Sequence, residues 1–256
     1  MNASVDPTLL SRIEDAGLNA SAPPQQRWLD GWLVRFSPGK AKRARCINPV
    51  AEGRLTVEAK LGLCRTFYAS AGLPLVVRIT PFSAPSDIDA RLAAAGLQRH
   101  DDTRVMVRAS LAALPAAEEA SSIRIEQLSL RAFAETVGRF RGSTLAEREA
   151  HAQRLSESPV PFFAYVLVDP ERGALACGQF ALESELVGLY DVYTIAAERS
   201  RGLARILCTR LLEEATQRGA SVAYLQVDAE NEPARRVYRR LGFEDAYAYH
   251  YRAPAA

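Results

Sequence analysis

One short turn constrains this chain more than any other segment. The run ERSRGLARIL at residues 198–207 carries an Arg-x-x-Gly-x-Ala pattern, and apolar residues at helical spacing follow it directly. The strand-like runs LYDVYT and VAYLQVD precede and follow this turn and helix. An order of strand, turn, helix and strand predicts an α/β fold with the turn at a strand end.

The turn has the chemistry of an anion site. The first N–H groups of a helix lack partners, and the helix dipole adds positive potential there. Gly202 has no Cβ and Ala204 has a small one, so the backbone can approach an anion closely. Three arginines add cationic donors. The sequence predicts a pyrophosphate site formed by Arg199, Ser200, Arg201, Gly202, Leu203, Ala204 and Arg205.

A second motif follows about twenty residues later. The run ENEPARRVYRRLGF at residues 230–243 contains Asn231, Tyr238 and the tripeptide Leu241-Gly242-Phe243. Taken with the turn, this ordered set resembles the GNAT superfamily of acyl-CoA-dependent N-acetyltransferases over residues 122–256. The departures are Ala204, where glycine is common, and Ala196, where many members have proline. The resemblance implies an α/β (α+β) fold with a mixed, strongly twisted sheet flanked by helices.

The resemblance also implies an enzyme that transfers acetyl from acetyl-CoA directly to a primary amine, and it assigns roles to residues. Tyr238 would protonate the departing sulfur, because a phenol of pKa about 10 keeps its proton at neutral pH. Tyr238 also shares a helical face with apolar residues, so a core aromatic is the alternative. Asn231 is either a helix cap or a pantetheine contact. Further cofactor contacts are the main chain of Val192, Thr194 and Ile195, which would pair with pantetheine, and Arg235, which would reach a CoA phosphate.

The general base has the weakest signal. An alkylammonium must lose a proton before it attacks, so a carboxylate or a water chain near the cleft is expected. Asp191 is the predicted base ahead of Glu183 and Glu185, although each is also readable as a surface charge. His100, His151 and His250 are isolated in the sequence, with no spacing typical of a triad or a metal site. We therefore expect no metal.

The sequence predicts that the chain is built from two similar halves. An αβαβ order recurs, with 24 residues from Gly72 to Gly96 and 23 from Gly219 to Gly242. The first half lacks the Arg-x-x-Gly-x-Ala turn and has Leu92 where the second has Tyr238. We predict a degenerate acetyltransferase-like domain at 1–112, a linker at 113–121 and a catalytic domain at 122–256. The segment 31–49 resembles the first domain of tandem bacterial acetyltransferases, and a single domain with added N-terminal strands is the alternative.

Composition bounds the partners and the compartment. A net charge of +2 and a pI near 8.4 argue against nucleic acid and membrane partners. No apolar run approaches the roughly 20 residues that span a bilayer, and the N-terminus does not read as a secretory signal. The four cysteines lack metal-like spacing and suit buried or free thiols in a reducing cytoplasm. We expect a cytoplasmic protein that meets a small-molecule or peptide amine; its oligomeric state is left open.

Two other functions compete with the enzyme. A non-catalytic acyl-CoA-binding sensor would need the same turn, although Tyr238 favours catalysis. Nucleotide binding without CoA is disfavoured, because no Gly-x-Gly-x-x-Gly pattern followed by an acidic residue is present. Hydrophobic periodicity further predicts helices at 127–140 and 144–157, followed by a hairpin.

Overall fold

The computed structural model describes residues 6–114 and 123–255. Within them the chain forms seven α-helices, eleven β-strands and two compact units. The helices are α1 Pro7–Ala20, α2 Val57–Ser70, α3 Ile88–Ala94, α4 Leu130–Phe140, α5 Leu145–Ser156, α6 Leu203–Gln217 and α7 Glu232–Arg240. The strands are β1 Gln25–Leu29, β2 Trp32–Phe36, β3 Ile47–Pro49, β4 Val77–Ile79, β5 Gln98–Arg108, β6 Arg124–Leu128, β7 Phe162–Asp169, β8 Gly173–Glu183, β9 Leu186–Thr194, β10 Val222–Asp228 and β11 Glu244–Ala253.

The two units interleave along the sequence. The described residues of Met1–Ala20, Val105–Val227 and Asn231–Ala246 form unit 1, and those of Ser21–Arg104, Asp228–Glu230 and Tyr247–Ala256 form unit 2. The two compact units are defined by contacts between residues. The boundaries predicted at 1–112 and 122–256 are defined by a sequence repeat instead, so the division into two repeated domains stays a prediction. Most of the predicted linker, residues 115–121, lies outside the described residues.

Unit 1 contains a mixed sheet with the strand order β10-β9-β8-β7-β6, and the last residues of β5, Val105–Arg108, belong to the same unit. The pairs from β6 to β9 are antiparallel, and β9 runs parallel to β10. The β9–β10 ladder spans Leu186–Leu189 against Val222–Leu225 and then stops, although β9 continues to Thr194. Beyond Leu189 the β9 edge that faces away from β8 therefore has no strand of the described residues in its ladder, and the sheet opens at this point.

A β-bulge interrupts β9 where the sheet opens. Cys177 pairs with Tyr193 and Gln179 with Tyr190, so Gly178 on β8 opposes both Asp191 and Val192. Asp191 has a φ of 51°, in the left-handed region that Asp tolerates better than most residues. The extra residue turns the Asp191 side chain away from α6, whereas Val192 packs into the α6 core.

Helix α6 covers one face of this sheet with an apolar stripe. Leu207, Leu211 and Ala215 are fully buried, and they join a core that includes Phe180 and Val187. The stripe predicted from helical spacing is confirmed. Each fully buried leucine contributes on the order of 2 kcal/mol through burial of its side chain.

Helices α4 and α5 begin at side-chain caps. The Ser129 hydroxyl accepts from the Ala132 N–H, and Thr144 forms a capping box with Glu147. The helix predicted at 127–140 is confirmed only from residue 130, because the two residues before Ser129 belong to β6. The prediction of a second helix at 144–157 agrees with α5, and the predicted hairpin is β7–β8.

Unit 2 contains a second mixed arrangement, with the strand order β1-β2-β3-β4-β11. All of these neighbours are antiparallel except β3 and β4. Helices α2 and α3 pack on this sheet around Trp32, Tyr68 and Leu92, all of them buried. The predicted order of helix, strand, helix and strand in the first half matches α2, β4, α3 and β5.

Two predictions from composition can be compared with the described residues. No helix in residues 6–114 and 123–255 is long and apolar enough to cross a bilayer. All four cysteines are buried and free, as their spacing suggested.

Candidate functional site

The turn before α6 has two left-handed residues. Ser200 has a φ of 63° and Gly202 a φ of 79°. Gly202 is the N-cap of α6, and an added Cβ at this position would meet no atom within 4 Å. The backbone is therefore bent back at both positions, and the space in front of Gly202 is open.

The turn carries a run of N–H groups ahead of the first helical hydrogen bonds of α6. The first helical hydrogen bonds run from Arg205 and Ile206 to the Gly202 carbonyl, at 2.9 and 3.1 Å. In the part of the chain that the structure describes, the N–H groups of residues 200–204 donate to no partner. Gly202, as the N-cap, has no side chain with which to cap this helix end. A row of unsatisfied donors at the positive end of α6 is a site for an oxyanion such as a phosphate.

The arginines of the turn are held by neighbouring groups. Arg199 donates to the Thr194 carbonyl and to the Tyr193 hydroxyl, both at 3.3 Å. Arg201 lies 2.6 Å from the buried carboxylate of Glu198, which also binds Arg172 at 2.8 Å. The predicted cationic donors therefore border the turn, and Glu198 fixes one of them in place.

The equivalent helix start in unit 2 is already filled. The Thr56 hydroxyl caps α2 by accepting from the Ala59 N–H at 3.2 Å. The Asp30 carboxylate accepts from the N–H groups of Arg54 and Leu55, at 2.9 and 2.7 Å. These backbone hydrogen bonds lower the pKa of Asp30. A carboxylate of the chain itself thus takes the donors that remain free at α6.

The three residues whose main-chain groups are predicted to bind pantetheine are not equally free to do so. The Ile195 N–H donates to the Leu175 carbonyl at 3.0 Å, so this amide is occupied. Val192 and Thr194 lie past the last β9–β10 pair, on the open part of β9. The Thr194 hydroxyl oxygen is buried and has no hydrogen-bond partner within the described part of the chain.

Tyr238 lies on α7, packed against the core of unit 1. Its half-buried ring makes an edge-to-face contact with Phe243, with centroids 6.1 Å apart. The structure gives its hydroxyl no hydrogen-bond partner among the described residues. Burial raises the pKa of Tyr238, and the nearby thiol of Cys208 on α6 adds to the rise. The phenol therefore holds its proton at neutral pH.

The two other α7 predictions have structural partners. The Asn231 side chain accepts from the Ala234 N–H at 3.2 Å, so its capping role is present. Arg235 forms ion pairs with Asp245 at 2.6 Å and Glu232 at 3.5 Å. Contacts of Asn231 and Arg235 with a cofactor stay predictions.

Asp191 is the centre of a polar cluster on the bulge. Its Oδ1 lies 2.7 Å from Arg141, and its Oδ2 accepts from Gln179 at 2.8 Å and lies 3.4 Å from His151 Nε2. Burial opposes ionisation of Asp191, but His151, Arg141 and Arg154 outweigh it and hold its pKa well below the usual range. A carboxylate with such low proton affinity is a poor general base at neutral pH.

The histidines are not isolated, which corrects the sequence interpretation. His151 lies against Asp191, forty residues away in sequence, and its ring is edge-to-face with Phe133 at 6.4 Å. His250 Nε2 lies 2.7 Å from the Asp89 carboxylate. Sequence spacing missed both pairs, because β-strand and helix packing brings distant segments together. In the sequence, the one signal that His151 contacts other residues was its place in a predicted helix that also carries apolar residues.

The other candidate bases make structural contacts. Glu183 accepts from the Asn19 side chain at 3.0 Å, and Glu185 pairs with Arg12 at 2.6 Å. Within residues 6–114 and 123–255, no three His, Cys, Asp or Glu side chains are grouped as metal ligands.

Comparison with known families identifies the chain. The family model described as "Probable histone acetyltransferase Rv0428c C-terminal" matches residues 10–252. The chain belongs to this acetyltransferase family. Its sequence is 25% identical to the uncharacterized N-acetyltransferase YobR of Bacillus subtilis over 232 residues, which cover 89% of this chain and 91% of YobR. It is also 28% identical to streptothricin acetyltransferase of Streptomyces lavendulae over 81 residues, 32% of this chain and 43% of that protein.

Solved structures show the same fold. A GCN5-related N-acetyltransferase from Kribbella flavida has a TM-score of 0.70 at 16% identity and covers 96% of this chain and 95% of its own. A tandem GNAT protein from the clavulanic acid biosynthesis pathway has a TM-score of 0.62 at 13% identity, with coverage of 93% and 89%. The predictions of the GNAT superfamily and of its mixed α/β fold are confirmed. The chain is an acyltransferase of this type.

Proposed function

We propose that this protein is an N-acetyltransferase that takes the acetyl group of acetyl-CoA and gives it to a primary amine. The observation that carries the proposal is the free N–H row of residues 200–204 beside the open end of β9. In a GNAT-family chain, these features fit a pyrophosphate and an extended pantetheine arm. Acetyl-CoA supplies the activated thioester.

The turn would bind and orient the cofactor. The N–H groups of residues 200–204 would donate to the pyrophosphate, and Arg199, Arg201 and Arg205 would balance its charge. Val192 and Thr194 offer the main-chain edge for the pantetheine amides, as an added strand would. Strand β9 fixes its main-chain N–H donors before the cofactor binds. These donors would need no reorganisation during the reaction, which favours polarisation of the thioester carbonyl.

Tyr238 would supply a proton to the departing sulfur. Its raised pKa keeps the phenol protonated, and its hydroxyl makes no competing hydrogen bond among the described residues. Cys208 beside it lies within the first half of α6, the helix that the turn begins. The donor is therefore near the helix that would hold the cofactor.

The acceptor is proposed as a class. The matched family and relatives are named for a histone and for streptothricin, which suggests a peptide or small-molecule amine for this chain. Nothing in its charge favours a nucleic acid or a membrane as a partner. We place the reaction in a bacterial cytoplasm, where acetyl-CoA is made.

The test combines calorimetry with a product assay. The intact chain is titrated with acetyl-CoA, and CoA release is then followed with a panel of primary alkylamines, aminoglycosides, amino acids and histone-tail peptides. Amine-dependent CoA release is the expected result. Tight binding without turnover would favour the non-catalytic sensor, and absence of binding would contradict the pyrophosphate assignment.

A further inference from the structure

The polar cluster on the bulge is more buried than a surface ion pair, and more elements contribute to it. Gln179 is fully buried, and only about a fifth of the Asp191 and His151 side chains is exposed. The cluster draws on four separate places: α5, the end of α4, β8 and the β9 bulge. Several parts of unit 1 thus converge on one carboxylate.

The bulge exists at a cost in backbone energy. A non-glycine residue in the left-handed region is held there against backbone strain, and such residues concentrate at functional sites. Without the extra residue, strand alternation would direct Asp191 to the α6 face, where Leu189 packs. The bulge instead places its carboxylate beside α5, two residues past the last β9–β10 pair.

The contact with Asp191 shows which nitrogen of the His151 ring faces the carboxylate. Ionised carboxylates only accept hydrogen bonds, so a neutral ring is favoured to carry its proton on the nitrogen that faces Asp191. That nitrogen is Nε2. A neutral ring then has its lone pair on Nδ1, for which the structure shows no partner among the described residues. A neutral imidazole oriented by a carboxylate is a competent proton acceptor.

We propose, resting on the proposed function, that His151 Nδ1 is the general base for the amine and that Asp191 positions it. The acceptor ammonium gives one proton to Nδ1 and becomes a neutral amine, and the ring later releases this proton to water. The amine nitrogen forms a bond to the acetyl carbon, and the carbon–sulfur bond breaks. Sulfur takes the Tyr238 proton, and Tyr238 regains the second proton of the nitrogen.

Arg141 and Gln179 hold the positioning carboxylate. Arg141 binds Oδ1 while Gln179 and His151 share Oδ2, so the carboxylate cannot rotate freely. The charged and titratable groups that face the pair are Arg141 after α4, Arg154 on α5, Tyr193 on β9 and Cys177 on β8. The two arginines keep Asp191 ionised and so keep it from taking the proton itself.

The first experiment compares two acceptors in the full chain. Primary alkylamines are protonated at neutral pH and need a base, whereas hydroxylamine is largely unprotonated. His151→Gln keeps an amide donor toward Asp191 but removes the basic nitrogen. We expect a fall of roughly 100- to 1000-fold in kcat with an alkylamine and less than 10-fold with hydroxylamine. His100→Gln, a partly exposed histidine of unit 2, is the control and should behave as wild type.

The second experiment needs no acceptor or cofactor. Long-range ¹H–¹⁵N correlation spectra of the free protein should show His151 as the Nε2–H tautomer. Asparagine tolerates the left-handed backbone, so Asp191→Asn is the second variant. It should shift the His151 tautomer population toward the Nδ1–H form. It should also lower kcat about 10-fold or more, with KM little changed.

The outcomes separate this inference from the proposed function. Full alkylamine activity in His151→Gln, or an Nδ1–H tautomer in the wild-type protein, would overturn the role of His151 while leaving the acetyltransferase intact. A wild-type protein that binds acetyl-CoA but acetylates no amine would overturn both. Thermal unfolding of each variant identifies a loss of activity caused by misfolding. In that case the His151 tautomer in the wild-type protein decides whether the role of His151 stands.

Discussion

At the scale of single residues, environment gives three ionisable side chains different tasks. Burial keeps the Tyr238 proton on the phenol, whereas a ring of cations keeps Asp191 ionised. Asp89 is ionised for a third reason, since it binds Arg252 and His250. The residue type alone does not specify any of these roles.

Replacing Tyr238 with Phe tests whether its hydroxyl takes part in the reaction. The ring and its contact with Phe243 remain, so the fold should be kept. We expect kcat to fall by roughly 10- to 1000-fold, because the departing thiolate loses its proton donor. The Kd for acetyl-CoA should change little, since the hydroxyl acts chiefly in the transition state. Calorimetry and steady-state kinetics measure the two quantities, and unchanged turnover would show that Tyr238 only packs.

The Asp89 ion pair predicts an acid-sensitive contribution to stability. Asp89 lies 2.7 Å from both Arg252 Nε and His250 Nε2. The Arg252 hydrogen bond is the main cause that lowers its pKa to about 2, against burial and with help from His250. A lowered pKa stabilises the fold above the unfolded value of about 4, and this stability is lost as pH falls from about 4 toward 2.

Asp89→Asn should therefore flatten the pH dependence of the free energy of unfolding in that range. The carboxylate is more than a third exposed, so we expect the effect to be about 1 kcal/mol after screening by solvent. Denaturant unfolding at several pH values measures it. Asp102→Asn, which removes an exposed pair with Arg99, is the control. Equal pH profiles for the two variants would contradict the assignment.

At the scale of elements, the two helix starts that follow the repeat differ in what fills them. Helix α2 is capped by Thr56 and faces the Asp30 carboxylate. Helix α6 has Gly202 as N-cap and free N–H groups ahead of it. A helix start thus serves the fold in one half and is available to a ligand in the other.

Gly202→Asp should abolish binding of acetyl-CoA. The new carboxylate would stand in open space in front of the N–H row, where the pyrophosphate is proposed to lie. Gly219→Asp is a matched control, because Gly219 follows the other end of α6, also has positive φ and is equally open. Both variants carry similar backbone strain, but only the first should lose affinity in calorimetry. Equal affinity in the two would disprove the site.

At the scale of the whole molecule, one cofactor site per chain is expected. The described N-terminal half offers no free helix start equivalent to that of α6, since its donors are taken by Asp30 and Thr56. Titration of the intact chain should give one acetyl-CoA per chain. Acetyl-CoA at 100 times its Kd should stabilise the fold by about 2.7 kcal/mol. A stoichiometry of two would contradict the degenerate-repeat interpretation.

The sequence by itself determined the features that depend on neighbouring residues. The turn at 199–204, the α6 stripe and the helix α5 follow from local spacing, because helix periodicity and end effects reach only a few residues. The order of the two motifs was enough to identify the GNAT fold. Even the missed start of α4 was a local error of three residues at Ser129.

Only the tertiary structure decided which distant side chains meet. His151 and Asp191 are forty residues apart, and a one-residue bulge selects the face on which they pair. The stop of the β9–β10 ladder after Leu189 likewise depends on strand packing, since VAYLQVD and LYDVYT would suit a longer ladder equally well. Helix α1 gave no sequence signal that assigned it to unit 1, where it packs with β9. Register and face are set by long-range contacts, which no short pattern encodes.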